Sequence, residues 1–598
     1  MAEHQNKLSR FWQELKRRRV IHVITVYASA AFVIIELIGN LTEPLNLPAT
    51  LSTIVIIVLA VGFPLAIVLS WLYDLTSGSF ERTKPIEDIQ DEEKAKVPNA
   101  WKIATYVSFV VIAGLIVLNI ASRGDLIKPG MINSMVVLPF DNYTGDENLD
   151  YVASGMHASL IGDIGKVSAL RIIGTTTSNV IKSTEKSLPE IAKEWDVDLV
   201  MEPTLTCYGD TVCILVRAIM PFPKEKQVWV AEYREDKSKI LSIWNRIAKQ
   251  IADEVKVELT PEEKQLLSKS MIIDREAYDA YLKGSLYWDD LSSESLYKAL
   301  DYLNLAVEKD PNWAPLYVGL AKVWGGIAQA GYEKSEVAGP KIFENIQKAM
   351  ELDPDLPDLH HILAINAVWN EWDWEKGEQE FLKTLAVNPN DALSRAFYGH
   401  LLIILQRKVE ALFQVKMAVE LDPLNPFILA LSAPVFNSAG DTQTALEYLE
   451  KALSLDPHHF FAINLVEPIA WQDGDYDRAF EAGKIMMKNE FLSSDKKFIN
   501  EIEKTFEDQG FFAAYEALVK KLEIIAQNDY INPTDLAVRY SFLNNHQKAM
   551  DWIEIGFEQH DPNMPYIASG AFPFDSLYTN PRFMAILEKM ELPIPETD

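Results

Sequence analysis

A short phrase ending in proline recurs through the second half of the chain. It reads "AVEKDP" at 306–311, "AMELDP" at 349–354, "LAVNPN" at 385–390, "AVELDP" at 418–423 and "ALSLDP" at 452–457. The prolines Pro311, Pro354, Pro389, Pro423 and Pro457 fall 43, 35, 34 and 34 residues apart. A period of that length calls for one supersecondary unit repeated. No unit buries its own apolar face, so each must stack on a neighbour. Proline cannot continue a helix, so each Asp-Pro closes a second helix and turns the chain into the next unit. Small and apolar residues recur inside the units: Ala299, Leu303 and Ala306, then Gly399, Ala411, Val415 and Ala418, then Ala433, Ala445, Leu449 and Ala452. The small ones let neighbouring helices approach closely.

This pattern resembles the tetratricopeptide repeat, in which two antiparallel helices form one unit. The resemblance covers 271–490. Residues 491–598 are expected to hold degenerate repeats and a C-terminal cap that includes "FDSLYTNPRFMAILEKMEL" at 574–592. The 43-residue spacing implies a longer first helix or loop around "AGYEKSEVAG" at 330–339. Such arrays present a concave surface lined by the first helix of each unit, where peptides and partner helices bind. On this register Asn366, Trp369, His400 and Asn437 are the partner-groove candidates.

The N-terminal part has a different character. Three apolar runs, 20–39, 51–73 and 103–121, each approach the ~20 residues that cross a bilayer as a helix. Lys7, Arg10 and Lys16 to Arg19 precede the first run, and Arg82, Lys84, Lys94, Lys96 and Lys102 lie between the second and third. The loop at 40–50 has neither Lys nor Arg. By the positive-inside rule the segment 1–19 and the loop 74–102 face the cytoplasm. Three transmembrane helices within 20–122 would then anchor the chain in a bacterial inner membrane, with residues after 122 in the periplasm.

Between these regions, residues 131–262 alternate strand and helix patterns. "SMVVLPF" and "ALRIIG" read as strands, and residues 151–165 and 188–196 as helices. Three longer strand-like runs follow, with Gly209-Asp210 as a tight turn between the first two. An amphipathic helix at 239–259 closes the block. The segments "VVLPFDNYTGDENLDYVASGMHASL", "LRIIGTTTS", "IAKEWDVDLVMEPTLTCYGDTVCI" and "QVWVAEY" resemble the TolB N-terminal domain and the related FlgO-type domain. That resemblance implies a βαβ-rich module with no known catalytic centre, found in envelope proteins and beside repeat arrays. The expected fold class is thus multidomain: transmembrane helices, then a small α/β domain, then an all-α tetratricopeptide-repeat solenoid.

Several chemistries fail on spacing. "LIGDIGKV" lacks the Gly and the Ser or Thr of a phosphate loop, because Leu160 and Val167 stand there. Asp473, Asp475 and Asp477 alternate as calcium ligands do, but Arg478 and Lys484 occupy the loop's Gly and Glu positions. His157, the pair His360-His361 and the pair His458-His459 have no acidic frame at ligand spacing. No catalytic residue, metal or cofactor is expected. The net charge of −30 argues against nucleic acid, whose phosphates need clustered Lys and Arg. The two cysteines, Cys207 and Cys213, flank the Gly-Asp turn and could close a disulfide across it. Trp369, Trp372 and Trp374 form an aromatic patch whose default reading is core packing, with a binding hot spot as the alternative.

The expected function is a non-enzymatic, membrane-anchored interaction scaffold that docks proteins or peptides on an extracytoplasmic repeat surface, with a homo-oligomer allowed. The alternative is a non-catalytic signalling or regulatory subunit acting with an enzyme in trans.

Overall fold

In a computed structural model of the chain, the described residues are 12, 15, 20–42, 49–76, 79–82, 130–184, 186–268, 272–288, 292–354, 356–490, 495–528 and 530–595. The chain divides into two compact units, Met1–Leu126 and Ile127–Asp598.

The first unit holds helices Val20–Thr42 and Ala49–Leu72 and a two-stranded hairpin, β1 (Tyr73–Thr76) and β2 (Ser79–Arg82). The Tyr27 hydroxyl donates to the Leu59 carbonyl at 2.8 Å, and its ring meets Phe63 at 5.6 Å. Among the described residues no helix is long and apolar enough to cross a membrane. This corrects the expected fold class in its transmembrane part. It also removes the ground for placing the protein in a bacterial inner membrane, with residues after 122 in the periplasm. The third run, 103–121, and nearly all of the basic segments lie outside the described residues.

The second unit begins with a sheet of β3 (Ser134–Val137), β4 (Asp141–Asn142), β5 (Arg171–Ile172), β6 (Leu199–Tyr208), β7 (Thr211–Met220) and β8 (Lys226–Asp236). Its order is β5-β3-β6-β7-β8, with β4 beside β6. The β3–β5 and β3–β6 pairs are parallel, and β6, β7 and β8 run antiparallel. Helix Ile240–Glu254 carries Ile243, Trp244, Ile247, Ala248 and Ile251 on one face, and all five are buried. Helix Thr175–Lys182 is an element the sequence pattern did not announce. Cys207 faces Cys213 across the β6–β7 hairpin, with Cα atoms 4.8 Å apart and the sulfurs bonded. Alkylating the denatured, unreduced protein is therefore expected to label neither cysteine. Labelling of both would contradict the bond.

Antiparallel helix pairs follow: Arg275–Trp288 with Ser293–Lys309, Ala314–Gln329 with Ser335–Leu352, and Pro357–Ile365 with Trp374–Val387. In this third pair a wide π turn, Asn366–Glu371, extends the first helix. Next come Ala392–Ile404 with Lys408–Leu421, Pro426–Ser438 with Thr442–Leu455, and Phe460–Asp473 with Tyr476–Glu490. Two further pairs, Lys496–Gln509 with Phe511–Ile525 and Pro533–Phe542 with His546–Glu558, lead to a last helix, Pro581–Lys589. Ala411, Val415, Ala418, Ala445, Leu449 and Ala452 are all fully buried. At Gly399 an added Cβ would lie 2.7 Å from Val415 Cγ1, so the glycine is what lets those two helices meet. The long 43-residue spacing is spread wider than expected. Both helices of the second pair are long, 16 and 18 residues, against 13 and 14 in the fifth.

The structure also explains the Asp or Asn of the recurring phrase. Its carboxylate or amide oxygen accepts from the backbone N–H two residues on: Asp310 from Asn312 at 3.3 Å, Asn388 from Asn390 at 3.0 Å and Asp456 from His458 at 3.0 Å. These Asx turns hold the chain as it leaves the second helices of the first, third and fifth pairs.

Two of the turns reach beyond the array. Asp422 Oδ1 accepts from the Thr177 backbone N–H at 2.8 Å, and the Leu424 N–H donates to Thr177 Oγ1 at 2.9 Å. Helix Thr175–Lys182 has no side-chain cap of its own. A repeat turn far along the chain supplies one. Gly174 gives the space, since a Cβ there would sit 2.4 Å from Asp422 Cγ. Asn390 accepts from Ile172 N–H at 3.0 Å and donates to the carbonyls of Gly165 and Leu170 at 3.0 and 2.8 Å. The α/β block and the repeats are thus joined by polar bonds, the Thr177–Asp422 bond buried and the others half-buried. Asp422→Ala is expected to cost about 1–3 kcal/mol, because it orphans a buried N–H. Urea melts would show it, with faster amide exchange in residues 175–182.

Candidate binding chamber

The first helices of successive pairs set an aromatic ladder on the inner face of the array. Trp369 meets Phe397 edge-on at 5.5 Å, Phe397 meets Phe427 at 6.2 Å and Phe427 meets Phe461 at 5.5 Å. This face is already occupied. After helix His546–Glu558 the chain turns back, and residues 560–572 run across the ladder. Gln329 Nε2 donates to Asn563 Oδ1 at 2.7 Å, and Ser335 Oγ donates to the His560 carbonyl at 2.9 Å. Gln406 and Ser438 donate to the carbonyls of Ala568 and Ser569.

At the centre stands Tyr566. Its hydroxyl oxygen accepts from Trp369 Nε1–H at 3.0 Å and lies 3.0 Å from His400 Nδ1. His400 Nε2 lies 2.6 Å from the Leu431 carbonyl. A carbonyl only accepts, so Nε2 carries the proton and Nδ1 accepts from Tyr566. The imidazole is therefore neutral, and burial pushes its pKa down to about 4.

Two of the four partner-groove candidates, Trp369 and His400, thus meet on one residue that the sequence did not single out. The other two do not join them. Asn366 Nδ2 donates to Glu371 Oε1 at 2.8 Å. Asn437 donates to Gln472, and its Oδ1 accepts from Thr442 at 2.9 Å. Both are buried and tied to their own or the adjacent repeat. His360 and His361 bond to Glu380 Oε2 and Ser394 Oγ at 2.6 and 2.7 Å. Among the described residues no group of three His, Cys, Asp or Glu is placed to hold a metal ion.

Beside the returning segment a cavity of about 230 Å³ remains. Its walls include Trp369, Phe397, Phe427, Phe461, Tyr530 and Tyr566. Its charged side chains include Lys322, Glu467, Asp535 and Arg539. Arg539 Nη2 donates to Glu467 Oε2 at 3.0 Å, with both side chains about 5–6% exposed, and the Tyr515 hydroxyl donates to the same carboxylate. Arg539 Nη1 also bonds the Asp535 carbonyl at 3.0 Å. Burial pushes the Asp535 carboxyl up to about 6; Arg539 pulls against this, while Asp561 and Glu467 add to it. Local sequence carries no sign of Glu467, Asp535, Arg539 or Tyr566 as a group, because helices far apart in the chain bring them together.

No family model matches the chain. Over 244 residues it is 24% identical to putative adenylate cyclase 3 of Rhizobium meliloti (strain 1021), covering 40% of each protein. The chain therefore spans well under half the length of that curated relative. Among solved structures it is similar to YrrB, a TPR protein with an unusual peptide-binding site. That likeness has 22% identity over 32% of this chain and 89% of the other, with a TM-score of 0.21. It is also similar to TTC0263, a thermophilic TPR protein in Thermus thermophilus, at 19% identity over 30% of this chain and 92% of the other, with a TM-score of 0.25. Scores this low carry no argument. The helix pairs described above carry the likeness to tetratricopeptide repeats.

Proposed function

We propose that the chain is a protein-interaction scaffold whose repeat groove receives a short, aromatic-bearing peptide segment folded as a 3-10 turn, as Met564–Ala568 is. One observation carries this: the groove already holds such a segment, residues 560–572, through backbone carbonyls, a tyrosine and ring contacts. Grooves of helical repeats take peptides in this way. In the free chain its own segment fills the place, so a partner must displace it. Residues 131–262 we take as a TolB N-terminal or FlgO-like module held on the repeat turns by Asp422 and Asn390.

A labelled peptide of sequence "PNMPYIASGAFPF", residues 562–574, tests the proposal by fluorescence anisotropy. It is expected to bind the Tyr566→Ala chain at least about tenfold more tightly than the unaltered chain, because the internal competitor is loosened. Equal binding to both, or none to either, would refute the proposal.

The similarity to a putative adenylate cyclase over 40% of the chain favours a second reading, a regulatory subunit working with a nucleotide-converting enzyme. Assaying the purified chain for nucleotide turnover, alone and with any enzyme that co-purifies, separates the two.

A further inference from the structure

The α/β sheet has two edges, and the fold treats them differently. Strand β5, at one edge, is two residues long, and repeat turns cover it. The Ile172 N–H donates to Asn390 Oδ1 at 3.0 Å, and the Gly174 N–H donates to the Leu421 carbonyl at 2.7 Å. Strand β8, at the other edge, runs 11 residues, and among the described residues it pairs with β7 alone. The Lys237 N–H donates to the Asp210 carbonyl at 3.0 Å, which fixes the alternation along the pair. From Trp229 to Glu235 the odd-numbered residues bond to β7. Val230, Glu232 and Arg234 therefore turn their backbone N–H and C=O groups to the open side. The register is unbroken from Trp229 to Asp236, since its irregularity falls beyond, between Ala218 and Ile219 of β7. No proline interrupts the strand. A long, regular edge of this kind is a template for another strand.

The side chains select the strand that fits. Val230, Glu232 and Arg234 are exposed on one face. Other charges nearby are engaged, Glu235 with Arg246 and Asp236 with Arg275. Among the described residues Glu232 and Arg234 form no ion pair.

We infer that β8 pairs antiparallel with β8 of a second copy of this chain, about a two-fold axis through Tyr233. Each Glu232 then lies opposite Arg234 of the other copy, and the symmetry makes the pair twice. An axis through Glu232 would set that carboxylate against its own counterpart. An axis through Ala231 would face Glu232 with Val230 and Arg234 with Val228. Charges on an edge ordinarily deter pairing, but here they choose one register. The contact belongs to the α/β block and does not depend on what the repeat groove holds.

Light scattering of the full-length chain over micromolar concentrations tests this. The unaltered chain is expected at twice the mass of one copy. Glu232→Arg and Arg234→Glu should each weaken the dimer about tenfold, because two attracting cross-strand pairs become two repelling ones. An equal mixture of the two variants restores opposite charges at every such pair, and should dimerise as tightly as the unaltered chain. That recovery could not come from variants that had failed to fold. A monomeric unaltered chain, single variants that dimerise unchanged, or a mixture no tighter than its components would each overturn the assignment.

Discussion

Arg539→Ala is expected to lower the unfolding free energy by about 3–5 kcal/mol, among the largest effects of any single change in the array. The cost is not simply a lost attraction. Glu467 is about 5% exposed, and removing the guanidinium takes away the positive charge that balances its carboxylate in a low-dielectric interior. The double variant Arg539→Met with Glu467→Leu should therefore be less destabilised than Arg539→Ala alone. Urea melts of both would show the order. If the double variant lost the sum of the two single effects, the pair would not be acting as a unit.

The second large effect concerns pH and His400. Its folded pKa, about 4, lies below the ordinary 6.5, so the folded chain binds fewer protons there than the unfolded chain. Its contribution is thus complete above pH ~6.5 and is lost as pH falls towards about 4. A shift of this size is worth about 3 kcal/mol. Protonation would also put an N–H on Nδ1 and reverse its bond to Tyr566, within the chain that runs from Trp369 through Tyr566 to Leu431. His400→Asn removes this titration. The stability gap between the unaltered chain and the variant should narrow by about 3 kcal/mol between pH 7 and pH 4. A gap constant over that range would mean that His400 is not held neutral by burial.

How far the sequence could be read depended on the range of each interaction. The recurring phrase marks where helices end, and Ala411, Val415 and Ala418 lie in the interior where the period places them. Such features repeat at fixed local spacing, so the sequence displays them. Trp369 and His400 were placed on the inner face by the same register. The occupant of that face was not legible. Residues 560–572 follow a last helix pair and carry no repeat; nothing in them announces a return across helices far back in the chain. The register points Asn366 and Asn437 toward the same concave face; in the structure each bonds a near partner, Glu371 and Gln472. The role of Asp422 was half legible. Its place at a helix end follows from the phrase, whereas the helix it caps belongs to another block. The apolar N-terminal runs invited a hydropathy argument, yet no described helix there is long and apolar enough to span a bilayer.

Whether the repeat groove carries its own segment in the free chain is decided most directly by hydrogen exchange. Amide exchange of residues 564–570 in the full-length chain should be as slow as that of helices Ala392–Ile404 and Pro426–Ser438, against which the segment lies, and should quicken in Tyr566→Ala. Exchange of those amides at unstructured rates, while the two helices stay protected, would contradict the account.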